Sequence, residues 1–261
     1  VMGAPELVHD LLRHAGPRYQ EEGLLERLHL LLSALPEEYA RAERVLEWRM
    51  VAGFAAGDLS PVLPEVDEHL AVHTAPALRA RRAGTMRREA GFELAKQAVE
   101  AQRSSLTLWQ YGRLHPDPVI GLDLLRESVQ VAEEMDQQYE VVRNAGALVA
   151  RLGQEGEFAE AASWARWTLD MFDRGEVSEG TRRLRVINDL GVARILTGDL
   201  VGLRRILEDA QVMAEGSLPM LAALLRSTLA WLELAEQRPR AALDLISATY
   251  QASSRSWRAR Q

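Results

Sequence analysis

The sequence predicts an all-α fold: a right-handed superhelix of antiparallel helix pairs of the tetratricopeptide type, with repeats of about 40 residues. The main observation is a pattern that occurs three times: an apolar helical stripe, a short polar turn, and a second stripe rich in small residues. The turns contain Gly156, Gly198 and Gln237, and the stripes after them contain Ala161, Ala165 and Leu169; Leu203, Leu207 and Ala210; and Ala242, Ile246 and Thr249. Leucine, alanine, glutamate and arginine also dominate the composition, which favours helix almost everywhere.

Composition limits the classes of function. Apolar residues make up 47% of the 261 residues, enough for a large core or one continuous array of repeats. The chain has no cysteine, which excludes thiol catalysis and cysteine-ligated zinc. No apolar run approaches the roughly 18 residues of a membrane span. The net charge of −7 gives no general attraction to nucleic acid.

The sequence also leads to expectations about the cellular location of the protein and about whether the chain is part of a longer one. The opening Val1-Met2-Gly3 lacks the basic and apolar regions of a secretory signal. Together with the absence of cysteine, this leads us to expect a cytoplasmic protein. We also expect residues 1–261 to form a single helical-repeat domain that is a fragment of a longer protein.

The first half is predicted to be a series of helices separated by proline and glycine. Helical stripes run from about Pro5 to Leu35, with a break at Gly16-Pro17, and then on to a glycine-terminated hairpin at Gly57-Asp58. A partner helix is expected from about Ser60 to Val72.

The next segment is a long helical run from Pro76 to Trp109, which we expect to be bent or interrupted near Gly84 or Gly91. The stretch from Gly112 to Pro118 is the clearest predicted loop, because it combines glycine, proline and aspartate. An amphipathic helix is expected from Ile120 to Met135.

Residues 139–253 contain the most regular repeats. The turn residues Gly156 and Gly198 are 42 residues apart, and Gln237 follows 39 residues later. Both spacings exceed the usual tetratricopeptide period of about 34 residues. We therefore expect longer helices or longer connections, supplied by Arg174–Thr181 and Glu215–Pro219, and about six helix pairs in all.

The opening of the chain resembles a known family. The similarity lies in Leu25-Glu26-Arg27-Leu28, Leu35-Pro36-Glu37-Glu38, Leu46-Glu47-Trp48-Arg49 and Ala55-Ala56-Gly57-Asp58-Leu59. These stretches resemble the start of the tetratricopeptide-like sensor domain of MalT-like bacterial transcriptional regulators, which are signal-transducing ATPases that often carry a LuxR-type DNA-binding domain. The family's sensor repeats are about forty residues long, like those found here.

The resemblance implies a sensor and interaction segment alone. The chain has no GxxxxGK[ST] loop for nucleotide and no basic recognition helix. The resemblance therefore implies an effector or protein partner and contacts with other domains of the same regulator. No cofactor, direct nucleic-acid contact or membrane association is expected.

Catalytic and metal-binding patterns are weak. His69 and His73 lie four residues apart on a helix, with Glu65 one turn earlier, but no distant third ligand is indicated. The basic stretch between Arg79 and Arg88 is interpreted as a solvated helix face, since no aromatic residue is interleaved with it. No nucleophile elbow occurs either, so we expect neither an enzyme nor a metal site.

The concave face of the array is the better candidate for binding, because polar side chains there have no packing reason to be present. Counting back from the turns places these residues on or near that face: Arg44, Glu47, Arg143, Asn144, Arg185, Asn188 and Trp231. Arginine and asparagine recognise carboxylates, amides or hydroxyls, and tryptophan offers a stacking surface. The alternative is that the arginines only form ion pairs between helices and that Trp231 belongs to the core.

Two further expectations follow. Trp164 and Trp167 should touch along one helix face, as a packing pair rather than a ligand platform. Replacing Arg143 and Asn188 together by alanine should leave stability nearly unchanged and weaken binding.

Two functions remain open from the sequence. The leading hypothesis is a ligand-sensing and protein-interaction domain of a bacterial transcriptional regulator, acting by binding in its concave groove. The alternative is a tetratricopeptide-like scaffold that binds a protein partner and senses no metabolite.

Overall fold

The computed structural model describes residues 12, 15, 16, 19, 24–175, 180–215 and 219–258. These residues form two compact units that divide between Asn144 and Ala145. Unit 1 comprises the described residues up to Asn144, and unit 2 comprises those from Ala145 onward. The organisation of residues 1–261 as a single domain stays a prediction.

Unit 1 consists of helices. They are α1 (Leu25–Ser33), α2 (Glu37–Ala40), α3 (Glu43–Ala56), α4 (Leu63–Val72), α5 (Pro76–Ala83), α6 (Arg88–Ala101), α7 (Ser105–Leu114), α8 (Pro118–Glu134) and the first part of α9 (Gln138–Gln154). Within the series α3 to α8, each helix packs against the one before it. In addition, α5 contacts both α3 and α7. Contact between the first helices of successive pairs is the packing of a tetratricopeptide-like array.

Unit 2 continues the same pattern. It contains the rest of α9, followed by α10 (Phe158–Asp173), α11 (Gly180–Thr197), α12 (Leu203–Ala214), α13 (Pro219–Ala235) and α14 (Pro239–Arg258). Each helix from α10 onward packs on its successor, and α11 also packs on α13. A single apolar cluster joins α11, α12 and α13, centred on Leu203, Leu207 and Leu225, which are completely buried.

The predicted turns are helix C-caps of one kind. Gly156, Gly198 and Gln237 adopt left-handed backbone angles, with φ values of 84°, 79° and 61°. In each turn the backbone N–H of the next residue donates a hydrogen bond to the carbonyl oxygen five residues before that residue. These bonds measure 2.9, 2.9 and 2.7 Å for Glu157, Asp199 and Arg238. This is the hydrogen bond of the Schellman motif. The three turns therefore occupy equivalent positions, and the spacings of 42 and 39 residues are true repeat distances.

Two glycines that were expected to break or border helices lie inside them. A Cβ atom at Gly91 would come within 2.5 Å of the carbonyl oxygen of Ala83, and one at Gly112 within 2.9 Å of that of Gly121. Both glycines therefore allow helices to approach closely. The predicted loop Gly112–Pro118 is correspondingly wrong in extent, since α7 continues to Leu114 and α8 begins at Pro118.

The long run Pro76–Trp109 is interrupted near Gly84, as expected, and a second time at residues 102–104. Ser104 and Thr107 explain the second break, because they form a capping box that starts α7. The N–H of Ser104 donates to Oγ1 of Thr107 over 2.9 Å.

The fold class is confirmed as an all-helical array of tetratricopeptide-like pairs, and the described residues contain no strand. Fifteen of the 31 residues of the predicted stretch Pro5–Leu35 lie outside the described residues, and Pro17 of the predicted break is one of them. Among the described helices, none is both long and apolar enough to span a membrane.

Candidate functional site

The candidate site is a cleft in unit 2 with a volume of about 360 Å³. It lies among α9, α10 and α11, and its lining combines apolar walls with a few polar groups: Val149, Ala150, Gly153, Gln154, Phe158, Ala161, Arg185, Asp189, Val192 and Ala193. Apolar walls with a small number of polar groups are typical of binding pockets. The volume suits one side chain or one small ligand.

Helical periodicity brings the lining residues together. On α11, Arg185, Asp189 and Val192 are separated by four and three residues, so they lie on one face. On α9, Ala150 and Gly153 are three residues apart and share a face in the same way.

Gly153 has no packing reason to be glycine. A Cβ atom there would have nothing within 4 Å, and its φ is not in the left-handed region. Glycine in a helix costs up to about 1 kcal/mol relative to alanine. Since Gly153 lines the cleft, the missing side chain leaves that space open.

Asp189 is the one carboxylate among the residues that line the cleft. Its Oδ1 accepts a hydrogen bond from Nδ2 of Asn188 over 3.3 Å, and Oδ1 of Asn188 accepts one from the Thr228 hydroxyl over 2.8 Å. Burial raises the pKa of Asp189, and this effect outweighs the opposing influence of Asn188 and Arg185. The aspartate is therefore held in place while its negative charge is poorly compensated.

Arg185 is exposed beside this carboxylate. Within the described part of the chain its guanidinium forms no hydrogen bond or close ion pair, and its influence on Asp189 is through space. The guanidinium is therefore available to an incoming acceptor.

The equivalent arginine in unit 1 is in a different environment. Arg143 is only 6% exposed and stacks on the ring of Trp109 at 4.3 Å. Its Nε and Nη2 each donate to Oδ1 of Asn144 over 3.1 Å, and it forms an ion pair with Glu140. Asn144 in turn donates to the carbonyl oxygen of Ser128 over 3.0 Å. Arg143 and Asn144 thus belong to a buried, mutually paired network.

Arg44 and Glu47 also pair with each other. Nη1 of Arg44 donates to Oε2 of Glu47 over 2.9 Å, and Glu47 is only 5% exposed. Burial raises the pKa of Glu47, and the charges of Arg81 and Arg44 oppose that rise. Both residues therefore have an internal partner.

Of the remaining predicted site residues, Asn188 lies next to the cleft and orients Asp189, and its own side chain is 8% exposed. Trp231 is 49% exposed on α13, so it is not a core residue. It occupies the repeat position of Val192, 39 residues earlier, which lines the cleft. The predicted contact of Trp164 with Trp167 is confirmed, with ring centroids 5.3 Å apart.

His69 and His73 lie close together, with ring centroids 4.3 Å apart. Burial lowers the pKa of His69, and the neighbouring His73 acts in the same direction. Across the described residues, no group of three metal-ligating side chains converges. Nothing therefore favours this pair as a site over the cleft in unit 2.

The structure brings Arg185 and Asn188 to one site and places the other predicted residues elsewhere. Asp189 and Gly153 were not predicted from the sequence. Asp189 had a usable signal, because it lies four residues after Arg185 and therefore shares its helix face. Gly153 had none, since glycine in a helix is more often explained by close packing.

Comparison with known proteins identifies the fold and no family. No protein-family profile matches the chain, and no curated protein matches it. Solved structures do match. One is a kinesin light chain with nearly identical TPR-like repeats from Podosopora anserina, 17% identical, with a TM-score of 0.58 over 73% of this chain and 98% of that one.

A second structure of that repeat protein is 16% identical, with a TM-score of 0.56, and covers 73% of this chain and 97% of its own. BtubC (BKLC) from P. vanneervenii is 14% identical, with a TM-score of 0.50, and the match covers 98% of this chain and 93% of BtubC. At these identities the likeness shows a TPR-like helical repeat fold. Membership of the MalT-like regulators stays a prediction.

Proposed function

We propose that this chain is a helical-repeat binding domain that holds a polypeptide segment of a partner protein in the unit 2 cleft. The observation that carries the proposal is the open cleft lined by the half-buried Asp189 carboxylate and the exposed Arg185 guanidinium, which forms no hydrogen bond or close ion pair with any residue that the structure describes. Burial removes part of the water around the Asp189 carboxylate, and an external partner would compensate that desolvation; the exposed Arg185 guanidinium stays hydrated and accessible to such a partner.

Two further observations support it. Gly153 leaves the cleft open at a position where alanine would make a better helix. TPR-like arrays also offer extended surfaces on which a segment can lie across several helices. The cleft would hold one side chain of that segment, and the rest would run along the neighbouring helices.

The proposed action is binding without chemistry. Asp189 is the single carboxylate of the cleft lining, and its neighbour there is an arginine. Paired acid–base catalysis by carboxylates needs a second acidic group beside the first. This supports a binding role, and no cofactor is required for it.

A narrower proposal is that the domain is the sensor of a MalT-like transcriptional regulator in the cytoplasm. The support is the repeat length, 42 and 39 residues between equivalent turns, which resembles that family more than the common period of about 34. In that case occupancy of the cleft would shift an attached switch module between two states.

The test is selection from a random peptide library displayed on phage. Ala150 lies exposed on the cleft wall, so Ala150→Trp would fill the cleft without disturbing the core. Ala248→Trp is the matched control, since Ala248 is exposed on α14 and does not line the cleft. Selected peptides should bind the wild type and Ala248→Trp alike and lose at least tenfold in affinity for Ala150→Trp.

Failure to enrich any peptide would contradict the proposal, and so would peptides that bind Ala150→Trp as well as the wild type. A parallel thermal-shift screen of metabolites against the same proteins addresses the sensor hypothesis. A dose-dependent rise that Ala150→Trp abolishes would favour a small effector in the cleft.

A further inference from the structure

We propose that the unit 2 cleft selects a basic side chain, lysine or arginine, that is followed in the partner segment by an acidic residue. The cation would pair with Asp189 in the cleft, and the acid would pair with the exposed guanidinium of Arg185 on the same lining. This inference rests on the proposed function and specifies the chemistry of the segment.

The walls suit the stem of such a side chain. Val149, Phe158 and Val192 line the cleft together with three alanines and Gly153. Lysine and arginine pack their methylene stems along apolar surface while the charged end reaches a polar group. A cleft of about 360 Å³ has room for one such side chain.

Asp189 has one carboxylate oxygen available to pair with the charged end of the basic side chain. The chain of hydrogen bonds from Thr228 through Asn188 reaches only Oδ1 of Asp189. In the described part of the chain no hydrogen bond is donated to Oδ2. A cation that donates to Oδ2 would compensate the half-buried negative charge, and such charge-assisted hydrogen bonds are the stronger kind.

Arg185 defines the second half of the recognition. It precedes Asp189 by four residues on α11, so the two Cβ atoms should be about 6 Å apart. Opposite charges at this spacing often pair, yet no ion pair joins these two side chains within the residues that the structure describes. A ligand that pairs with both side chains would therefore present a basic group to Asp189 and an acidic group to Arg185.

The test uses two fluorescein-labelled hexapeptides, Gly-Gly-Lys-Glu-Gly-Gly and the same peptide with norleucine in place of lysine. Norleucine keeps the stem and removes the charge. In an anisotropy titration the lysine peptide should bind at least tenfold more tightly than the norleucine peptide. Asp189→Asn should abolish that difference, and replacing glutamate by glutamine should weaken binding to the wild type but not to Arg185→Gln.

Three outcomes would overturn the inference. The two peptides bind equally, neither binds up to about 1 mM, or the preference for lysine is unchanged in Asp189→Asn. Unfolding curves of both variants check that they are folded. The proposed function fails separately. If the library yields peptides that need an open cleft but contain no basic residue, the cleft binds segments and only this specificity is wrong.

Discussion

Arg143 in unit 1 and Arg185 in unit 2 hold the same position in successive repeats, 42 residues apart like the turns Gly156 and Gly198. Arg143 is buried, stacked on Trp109 and paired with Glu140 and Asn144. Arg185 is exposed beside an open cleft.

The difference shows that repeat position and residue type do not decide a role. What decides it is whether the surrounding side chains supply a partner. Around Arg143, its own helix α9 supplies the Glu140 carboxylate and the Asn144 amide, and α7 supplies the ring of Trp109. Around Arg185, small and apolar residues line the cleft, and none of the described residues pairs with its guanidinium.

The largest effect should come from Arg143→Ala. Removing the arginine leaves Glu140 and Asn144 without their shared partner, which should lower the free energy of unfolding by about 2–4 kcal/mol. Urea unfolding measures this. The sequence pattern predicted nearly unchanged stability when Arg143 and Asn188 are replaced together by alanine, and a loss below about 0.5 kcal/mol for Arg143→Ala would agree with that prediction.

Gly198→Val tests the alignment of the repeats, which places Arg143 and Arg185 at equivalent positions. Gly198 has a φ of 79°, where a β-branched residue is strained, so we expect a loss of about 1–3 kcal/mol. Gly198→Asn is the control and should cost less, because asparagine tolerates the left-handed region. Equal melting of the valine variant and the wild type would show that the turn is assigned wrongly.

Asp189→Asn should raise the free energy of unfolding at neutral pH. Burial disfavours the ionised carboxylate and raises its pKa above the ordinary value of 3.8. The contribution of the Asp189 carboxyl to the stability of the wild type is therefore most favourable below about pH 3.8, where the group is protonated. That contribution is lost as the pH rises through the raised pKa.

The advantage of the asparagine variant should accordingly shrink as the pH falls toward 3.8. Thermal unfolding across a pH series tests this. A variant less stable than the wild type at pH 7 would mean that Arg185 compensates Asp189 after all.

The smallest effect is expected from Gly153→Ala, a gain of about 0.5 kcal/mol from helix propensity near the end of α9. The added methyl should also narrow the cleft and weaken peptide binding. Gly146→Ala is the matched control on the same helix, since its Cβ would make an ordinary 3.8 Å contact with Val186. Equal effects of the two variants on binding would argue against a role for Gly153.

The repeats could be predicted because each turn has a local signature. A left-handed cap is encoded by the few residues around Gly156 or Gly198, and the apolar stripes on either side follow helical periodicity. Gly91 and Gly112 were misjudged because their reason is tertiary, namely close contact with Ala83 and Gly121. Sequence alone does not show which backbone lies opposite a glycine.

Some residues of the site could be predicted from the sequence and others could not, again because local patterns are visible in a sequence and tertiary contacts are not. Polar residues on first helices are visible in the sequence, so Arg185 and Asn188 were found. The pairing of Arg143 with Trp109 depends on how α7 packs, and the openness around Arg185 depends on small residues of α9. Both are properties of neighbouring helices.

The most direct test of this account combines unfolding and binding in Arg185→Ala. The variant should unfold within about 0.5 kcal/mol of the wild type, because Arg185 is exposed and no described residue forms a hydrogen bond or close ion pair with it. It should also lose at least fivefold in affinity for a fluorescein-labelled peptide taken from the library selection. Unchanged affinity, or destabilisation as large as that of Arg143→Ala, would contradict the claim that the cleft is the binding site.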